Sequence, residues 1–299
     1  MTATRLDGKA LSLEIREHLA QRVEGLRQNG RRVRLDAVLA PCRGDSAARV
    51  YAESQGRMCA KAGIEYELHE LSEECEFDEI GGRILLLNND ESVHAIMVHM
   101  PLPEKIDTYA IQKLIAPEKD VEGVNPANIG NIVYGRSSLA PCTALAAMRL
   151  IKESGVSLRG ATCAVVGASD IVGKPIAAML MREEATVISC NEFTEDITGY
   201  TSRADVLVAA AGVPGLVKRD WVKPGAVVID VGINRVKGPD GGMVTVGDVA
   251  FDEVCEVAGA ITPVPGGVGP MTVAMLLHNV VSSAEPRMAG KPRYRSVSE

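Results

Sequence analysis

Positive charge is in short supply in this sequence. Its 32 Lys and Arg residues against 39 Asp and Glu leave a formal net charge of −7, and no local basic run interrupts that balance. Nucleic acids and anionic membrane surfaces repel such a chain, so neither is an expected partner. No apolar run reaches membrane-spanning length, and Met1 to Gly8 lacks a basic segment followed by an apolar one. A soluble, cytoplasmic protein is therefore expected. Cys-x-x-Cys pairs are also missing. The seven cysteines, at 42, 59, 75, 142, 163, 190 and 255, are odd in number and scattered through mostly apolar runs. That distribution argues against a disulfide framework or a metal centre and fits reduced core thiols, so no metal is expected. There is no internal sequence repeat.

What is present is enough apolar material for two ordinary domains: 46% hydrophobic and 24% charged residues over 299 positions. Leu11, Ile15, Leu19, Val23 and Leu26 recur at three- and four-residue steps, which predicts a helix from Gly8 to about Gln28, stopped at Gly30. Strands are predicted at Val33–Leu39, Tyr66–Leu71 and His94–Met100. Between them lie helices at Ala47–Ala62, where Tyr51, Gln55 and Met58 share a face, and at about Phe77–Leu87, weakened by Gly81 and Gly82. A helix at Thr108–Leu114, a turn-rich loop from Pro117 to Pro126 and a helix at about Thr143–Ser154 lead into a second βα series. Its strands are Cys163–Val166, Thr186–Cys190, Val206–Ala210 and Ala226–Val231, with a helix at about Val172–Arg182. The segment 261–270 has three prolines and three glycines and reads as a rigid loop. An apolar helix, Met271–Ser282, follows, and the polar tail after Ala284 is expected to fray. Alternating β and α elements imply parallel sheets flanked by helices.

The stretch Ala164-Val-Val-Gly-Ala-Ser-Asp-Ile-Val-Gly-Lys-Pro175 reads as a buried strand running through a glycine turn into a helix. Gly167 permits a tight turn, and Gly173 allows close approach of a pyrophosphate to the helix amides. The spacing is Gly-x-Ser-x-x-x-Gly rather than Gly-x-Gly-x-x-Gly, so a structural turn without a ligand remains an open reading. Glu192 lies 25 positions after Gly167, at the end of the next strand, where an acidic residue partners a free ribose 2′-hydroxyl.

Several separated segments resemble the bifunctional methylenetetrahydrofolate dehydrogenase/cyclohydrolase family across nearly the whole chain. They are Met100-Pro-Leu-Pro103, Pro117-Glu-Lys-Asp-Val121, Pro141-Cys-Thr143, Val228-Ile-Asp-Val-Gly-Ile-Asn234 and Ile261-Thr-Pro-Val-Pro-Gly-Gly-Val-Gly-Pro-Met-Thr272. The resemblance implies an α/β fold of two βα domains. A folate-binding parallel-sheet domain would occupy 1–145 plus 271–290, and a Rossmann-like NAD(P)-binding domain 146–270. The C-terminal helix would return to the first domain, the folate cleft would lie between the two, and the second domain would form a homodimer. It also implies folate contacts from Tyr51, Asp120, Glu122, Pro263, Gly266, Gly267 and Pro270. Dinucleotide contacts would come from Gly167, Ala168, Ser169, Ile171, Val172 and Gly173, then Glu192, Gly212, Ile233 and Thr272.

Four cleft positions depart from the family pattern. Its Tyr-x-x-x-Lys is here Tyr51-Ala-Glu-Ser-Gln55, so the catalytic lysine is glutamine. Its Gln-Leu-Pro-Leu-Pro is His99-Met-Pro-Leu-Pro103, the second aspartate of Lys-Asp-Val-Asp-Gly is Glu122, and a serine before the tyrosine is Ala48. Tyr51, Gln55, His99 and Glu122 are thus the expected catalytic positions. Oxidation of 5,10-methylenetetrahydrofolate moves a hydride and needs positioning rather than proton transfer. Hydrolysis of the methenyl product needs acid–base assistance, typically about 10² to 10⁴ in rate, and glutamine does not titrate. The expectation is a methylenetetrahydrofolate dehydrogenase with cyclohydrolase activity lost or strongly reduced, unless His99 has taken over proton transfer. The resemblance puts an arginine and a serine–cation pair around a 2′-phosphate, and here these are Ala168 and Glu192-Phe193, so both cations are missing. At ~4 Å and an effective dielectric of ~20, a carboxylate repels each phosphate charge by about 4 kcal/mol, which favours NAD over NADP. Two further readings stay open: methylene transfer to another acceptor, and a non-catalytic folate or nucleotide binder.

Overall fold

The computed structural model describes residues 2–42, 46–136, 139–238 and 240–286. The polar tail expected to fray lies almost wholly outside the described residues. The chain divides into two compact units, one of residues 1–13 and 141–275, the other of residues 14–140 and 276–299.

The first unit is built on a six-stranded, all-parallel sheet in the order Thr4–Arg5, Ala260–Ile261, Val227–Asp230, Val206–Ala209, Thr162–Val166, Thr186–Cys190. The two strands Val206–Ala209 and Val227–Asp230 are buried along their whole length, as a parallel sheet covered on both faces requires. From Thr162–Val166 the chain passes through the helix Gly173–Arg182 to Thr186–Cys190 on one side. It then crosses to Val206–Ala209 on the other side, so the order reverses at Thr162–Val166. Such a reversal opens a crevice at the carboxyl ends of the strands, where ligands bind in open α/β sheets. Residues 1–13 fall in this unit because Thr4–Arg5 pairs with Ala260–Ile261 as the outer strand. An antiparallel pair, Asn234–Lys237 with Met243–Val246, and the two-residue strands Thr4–Arg5 and Ala260–Ile261 are additions to the predicted elements.

The second unit carries a three-stranded parallel sheet in the order Glu65–Glu70, Arg34–Leu39, Ala95–Val98. The helices Ser46–Lys61, Phe77–Asn89, Thr108–Leu114 and Pro126–Tyr134 belong to it. The Phe77–Asn89 helix continues two residues beyond its predicted end despite two glycines. At Gly81 the missing side chain leaves room for Leu114, whose Cδ1 would lie 3.1 Å from an added Cβ. The Asp107 carboxylate accepts hydrogen bonds from the amides of Tyr109 and Ala110, and Asn125 caps the next helix with Pro126 at its first position. The later part of the helix Val268–Ala284 joins this unit. Asn279 Nδ2 donates to the carbonyls of Val121 at 2.8 Å and Ala140 at 3.0 Å, fastening that helix beside the turn-rich loop. Among the described residues, no helix is long and apolar enough to cross a membrane.

Candidate active site

In the second unit, the helix Ser46–Lys61 directs Gln55 inward and leaves Tyr51 half exposed. The two are one turn apart on the same face. The Tyr51 ring meets the His99 ring edge-on, with centroids 5.9 Å apart and planes at 88°. His99 follows the strand Ala95–Val98 and is 2% exposed. Its Nε2 is 3.3 Å from the hydroxyl of Tyr66 on Glu65–Glu70, the opposite outer strand of the same sheet. Burial lowers the His99 pKa to about 4, so the imidazole is neutral at physiological pH, and burial raises that of the Tyr66 phenol. Gln55 is 1% exposed, and among the described residues its Oε1 has no hydrogen-bond partner.

The loop after the helix Thr108–Leu114 brings a second group of residues alongside the same strand. Ile96 bridges to Asp120 in parallel register, and its amide donates to the Lys119 carbonyl at 2.7 Å. Asp120 is fully buried. One carboxylate oxygen accepts from the Asn125 amide at 2.7 Å and from Asn128 Nδ2 at 2.8 Å, and the backbone amides of Val124 and Gly123 also face the carboxylate. Asp120 therefore holds the loop in shape, whatever else it contacts. Burial raises its pKa. Glu122 is half-buried, and its pKa is pushed up to about 8, first by desolvation and then by the nearby Asp120 charge, against a hydrogen bond from the Val98 backbone. Lys119 reaches away from these carboxyls. Its Nζ donates to the carbonyls of Leu87, Asn88 and Asp90 at 2.8 to 2.9 Å and closes the end of the Phe77–Asn89 helix.

The first unit gathers the expected dinucleotide residues at the carboxyl edge of its sheet. Gly167 follows Thr162–Val166 with φ +105°, and an added Cβ would lie 2.0 Å from the Ala210 carbonyl oxygen. At Gly173 an added Cβ would lie 1.8 Å from the Gly167 oxygen. The turn between them is closed by bonds from the Gly173 amide to Ser169 Oγ and from the Lys174 amide to the Ser169 carbonyl. Ala168 and Val172 are partly buried, whereas Ser169 and Ile171 are exposed. Glu192 is exposed just beyond the end of Thr186–Cys190, and Gly212 and Ile233 follow Val206–Ala209 and Val227–Asp230. These two glycine positions leave no room for a side chain, and the crevice fits a dinucleotide: backbone approach at Gly167 and Gly173, an acidic side chain after the adjacent strand, and apolar Ile171 and Ile233 at the rim.

The loop 262–270 also belongs to this unit. Pro263 and Gly267 are buried, and Gly266, Pro270 and Thr272 are half-buried. A Cβ on Gly267 would meet the Pro263 carbonyl oxygen at 2.7 Å, and the Lys9 amide donates to the Gly266 carbonyl. Close backbone packing, rather than an open turn, fixes this segment.

Two buried carboxylates here went unmarked in the sequence. Asp230 accepts from the amides of Gly232, Asp248 and Val249 at 2.9 to 3.0 Å, and its own amide donates to Thr262 Oγ1. Asp248 accepts from the amides of Ala211 and Gly212 at 2.7 and 2.8 Å and from Asn234 Nδ2. Together they tie the loops after two neighbouring strands. Burial, with Asp248 adding to it, raises the Asp230 pKa to about 6. The signal was an aspartate at a strand end beside a glycine in Val228-Ile-Asp-Val-Gly232 and again in Gly247-Asp-Val249. Among the described residues, Asp36, Glu67 and His69 are the one group spaced for a metal ion. The Arg34 guanidinium already occupies it, bonded to both Asp36 oxygens and to Glu67.

The catalytic domain of tetrahydrofolate dehydrogenase/cyclohydrolase matches residues 6–122, and the NAD(P)-binding domain of the same family matches residues 141–288. The sequence is 47% identical over 289 residues to the bifunctional protein FolD of Bordetella bronchiseptica, covering 95% of this chain and 99% of that one. The bifunctional FolD methylenetetrahydrofolate dehydrogenase/cyclohydrolase of Campylobacter jejuni superposes with a TM-score of 0.89 at 42% identity, covering 94% and 98% of the two chains. The Trypanosoma brucei dehydrogenase-cyclohydrolase, solved with NADP and an inhibitor, gives 0.87 at 37% identity, covering 95% and 97%.

Proposed function

From the premise that this chain belongs to the tetrahydrofolate dehydrogenase/cyclohydrolase family, we propose that it oxidises 5,10-methylenetetrahydrofolate with NAD in preference to NADP, and that its cyclohydrolase activity is lost or strongly reduced. The observation that carries the reading is Gln55, an amide buried at the position where the family pattern has lysine. In the oxidation, one C–H bond of the methylene carbon breaks and its electron pair leaves with the hydrogen. The positive charge left behind is shared by the two flanking folate nitrogens, and no proton is moved. When bound, the dinucleotide supplies the hydride acceptor. What this chain must supply is orientation and exclusion of water, and Tyr51 and His99 suit those tasks.

Hydrolysis makes a different demand. Water has to lose a proton as it adds to the methenyl carbon, and a folate nitrogen has to gain one as its C–N bond breaks. Gln55 does neither. His99, neutral and with a pKa near 4, is a weak base at physiological pH and lacks the acidic proton of an imidazolium. Glu192 at the serine position, with Ala168 and Phe193 where the pattern has cations, supports NAD, since a 2′-phosphate beside it meets like charge.

A second reading keeps both activities, and one observation favours it: Glu122, near 8, is a carboxyl group able to exchange protons at physiological pH. Assembly as a homodimer through the first unit belongs to the main proposal. It draws support from Thr186–Cys190, an outer strand with one edge open to pairing. The deciding assay follows reduced dinucleotide on adding methylenetetrahydrofolate with NAD or NADP, then the decay of methenyl absorbance. A higher kcat/KM with NAD, raised NADP use in Glu192→Ser, and methenyl decay at the spontaneous rate are expected. Comparable kcat/KM for the two dinucleotides overturns the NAD preference; decay accelerated by the protein and lost in Glu122→Gln establishes the second reading.

A further inference from the structure

Replacement of an ammonium by an amide at position 55 removes a proton carrier, and it also introduces an oxygen. Gln55 is 1% exposed, and its Oε1 has no hydrogen-bond partner among the described residues. A buried carbonyl oxygen left in this condition is destabilising unless a ligand supplies the missing donor or a positive charge. One turn away stands the Tyr51 ring, edge-on to His99, and His99 itself is uncharged. The wall therefore combines an oxygen dipole, an aromatic ring and a neutral imidazole.

We propose that Gln55 is a catalytic residue whose Oε1 stabilises the methenyl cation and the transition state leading to it, making the site selective for cationic over neutral one-carbon folates. The proposal rests on the dehydrogenase reading given above. As hydride departs, positive charge grows on the N–C–N unit of the folate. A fixed carbonyl dipole aimed at that charge acts most strongly where the charge is greatest, which favours the transition state over the neutral substrate. An ammonium at the same position would oppose the charge. The cation formed would leave unhydrolysed, so a separate water-adding reaction must consume it.

The test is a comparison of affinities on the full chain by calorimetry at mildly acidic pH, where the cation persists. The probes are 5,10-methenyltetrahydrofolate and 5-formyltetrahydrofolate, which have the same carbon oxidation level; the first carries the positive charge on a closed N–C–N ring, and the second is its ring-opened hydrate without that charge. In Gln55→Met, methenyl affinity is expected to fall on the order of tenfold, the usual weight of a charge-assisted contact, while formyl affinity changes by no more than about twofold. Gln55→Glu should strengthen methenyl binding relative to formyl, and it serves as the independent variant if the methionine protein does not fold. Equal losses on both ligands would show that Oε1 accepts an ordinary folate donor and would overturn the proposal, as would no change in either. If the unaltered protein reduces neither NAD nor NADP, the dehydrogenase reading fails separately, and the affinity ratio still tests Gln55.

Discussion

The hydroxyl of Tyr66 lies 3.3 Å from Nε2 of His99, joining the outer strand Glu65–Glu70 to the end of the opposite outer strand Ala95–Val98. Both groups are held in their neutral forms by burial. The unfolded chain binds a proton at histidine with a pKa near ~6.5, whereas the folded chain resists it until about 4. Stability is therefore fully present above pH ~6.5 and falls as pH drops through 4, with a ceiling of about 3 kcal/mol for this one residue. His278, held near 4 by burial, acts in the same window. Thermal unfolding of His99→Gln across pH 4 to 7 should show a shallower decline than the parent protein, and the difference isolates His99.

Glu122 titrates in the opposite direction. With its pKa near 8, the ligand-free protein carries it mostly protonated at neutral pH. A pterin ring offers N–H donors, which a carboxylate accepts better than a carboxylic acid does. Folate affinity is expected to rise as pH increases through 8 and then level off, and Glu122→Gln should bind with little dependence on pH. Titrations by intrinsic fluorescence or calorimetry between pH 6.5 and 9 measure this directly.

The glycine turn makes a prediction for the other unit. In Gly173→Ala the added methyl would sit 1.8 Å from the Gly167 carbonyl oxygen, so the turn has to open. Dinucleotide affinity should fall by tenfold or more, on the order of 1.4 kcal/mol, read as quenching or energy transfer on NADH titration. Folate-analogue binding is the control.

Lys119 separates a motif from a role. It lies in a segment matching the family, yet its ammonium closes the Phe77–Asn89 helix through three carbonyls. Lys119→Met is expected to destabilise the protein by about 1.5 to 3 kcal/mol, the range for hydrogen bonds to a charged group. Urea unfolding should show that loss, while kcat, measured where the protein remains folded, changes little.

Much of the fold was legible from apolar spacing. The helix Gly8–Gln28 falls at its predicted bounds, and the Thr186–Cys190 strand does as well, because each carries its period over a whole element and ends in a breaker or a polar turn. Two-residue strands such as Thr4–Arg5 have no period to read. The Asn234–Lys237 and Met243–Val246 pair is short too, although Gly238-Pro-Asp-Gly-Gly242 between them is a turn signal that would have found it. For the site, sequence exposed the changed positions 55, 99 and 122. It did not expose Tyr66, whose alternating neighbours Glu65, Glu67 and Leu68 read only as a half-buried strand. Its contact with His99 spans 33 positions and exists only once the strands have paired. Asp230 and Asp248 were hidden for the same reason: their partners are backbone amides of loops distant in sequence.

Gly56 sits in the middle of the helix Ser46–Lys61, where a Cβ would come within 2.9 Å of the Tyr66 ring. A glycine there weakens the helix by roughly 0.5 to 1 kcal/mol relative to alanine, and what it gains is the approach of that ring to His99. Positions 56, 66 and 99 are consequently bound in one epistatic set. Alanine at 56 displaces the ring, a smaller residue at 66 leaves His99 without its hydroxyl, and the effects of such changes will not add.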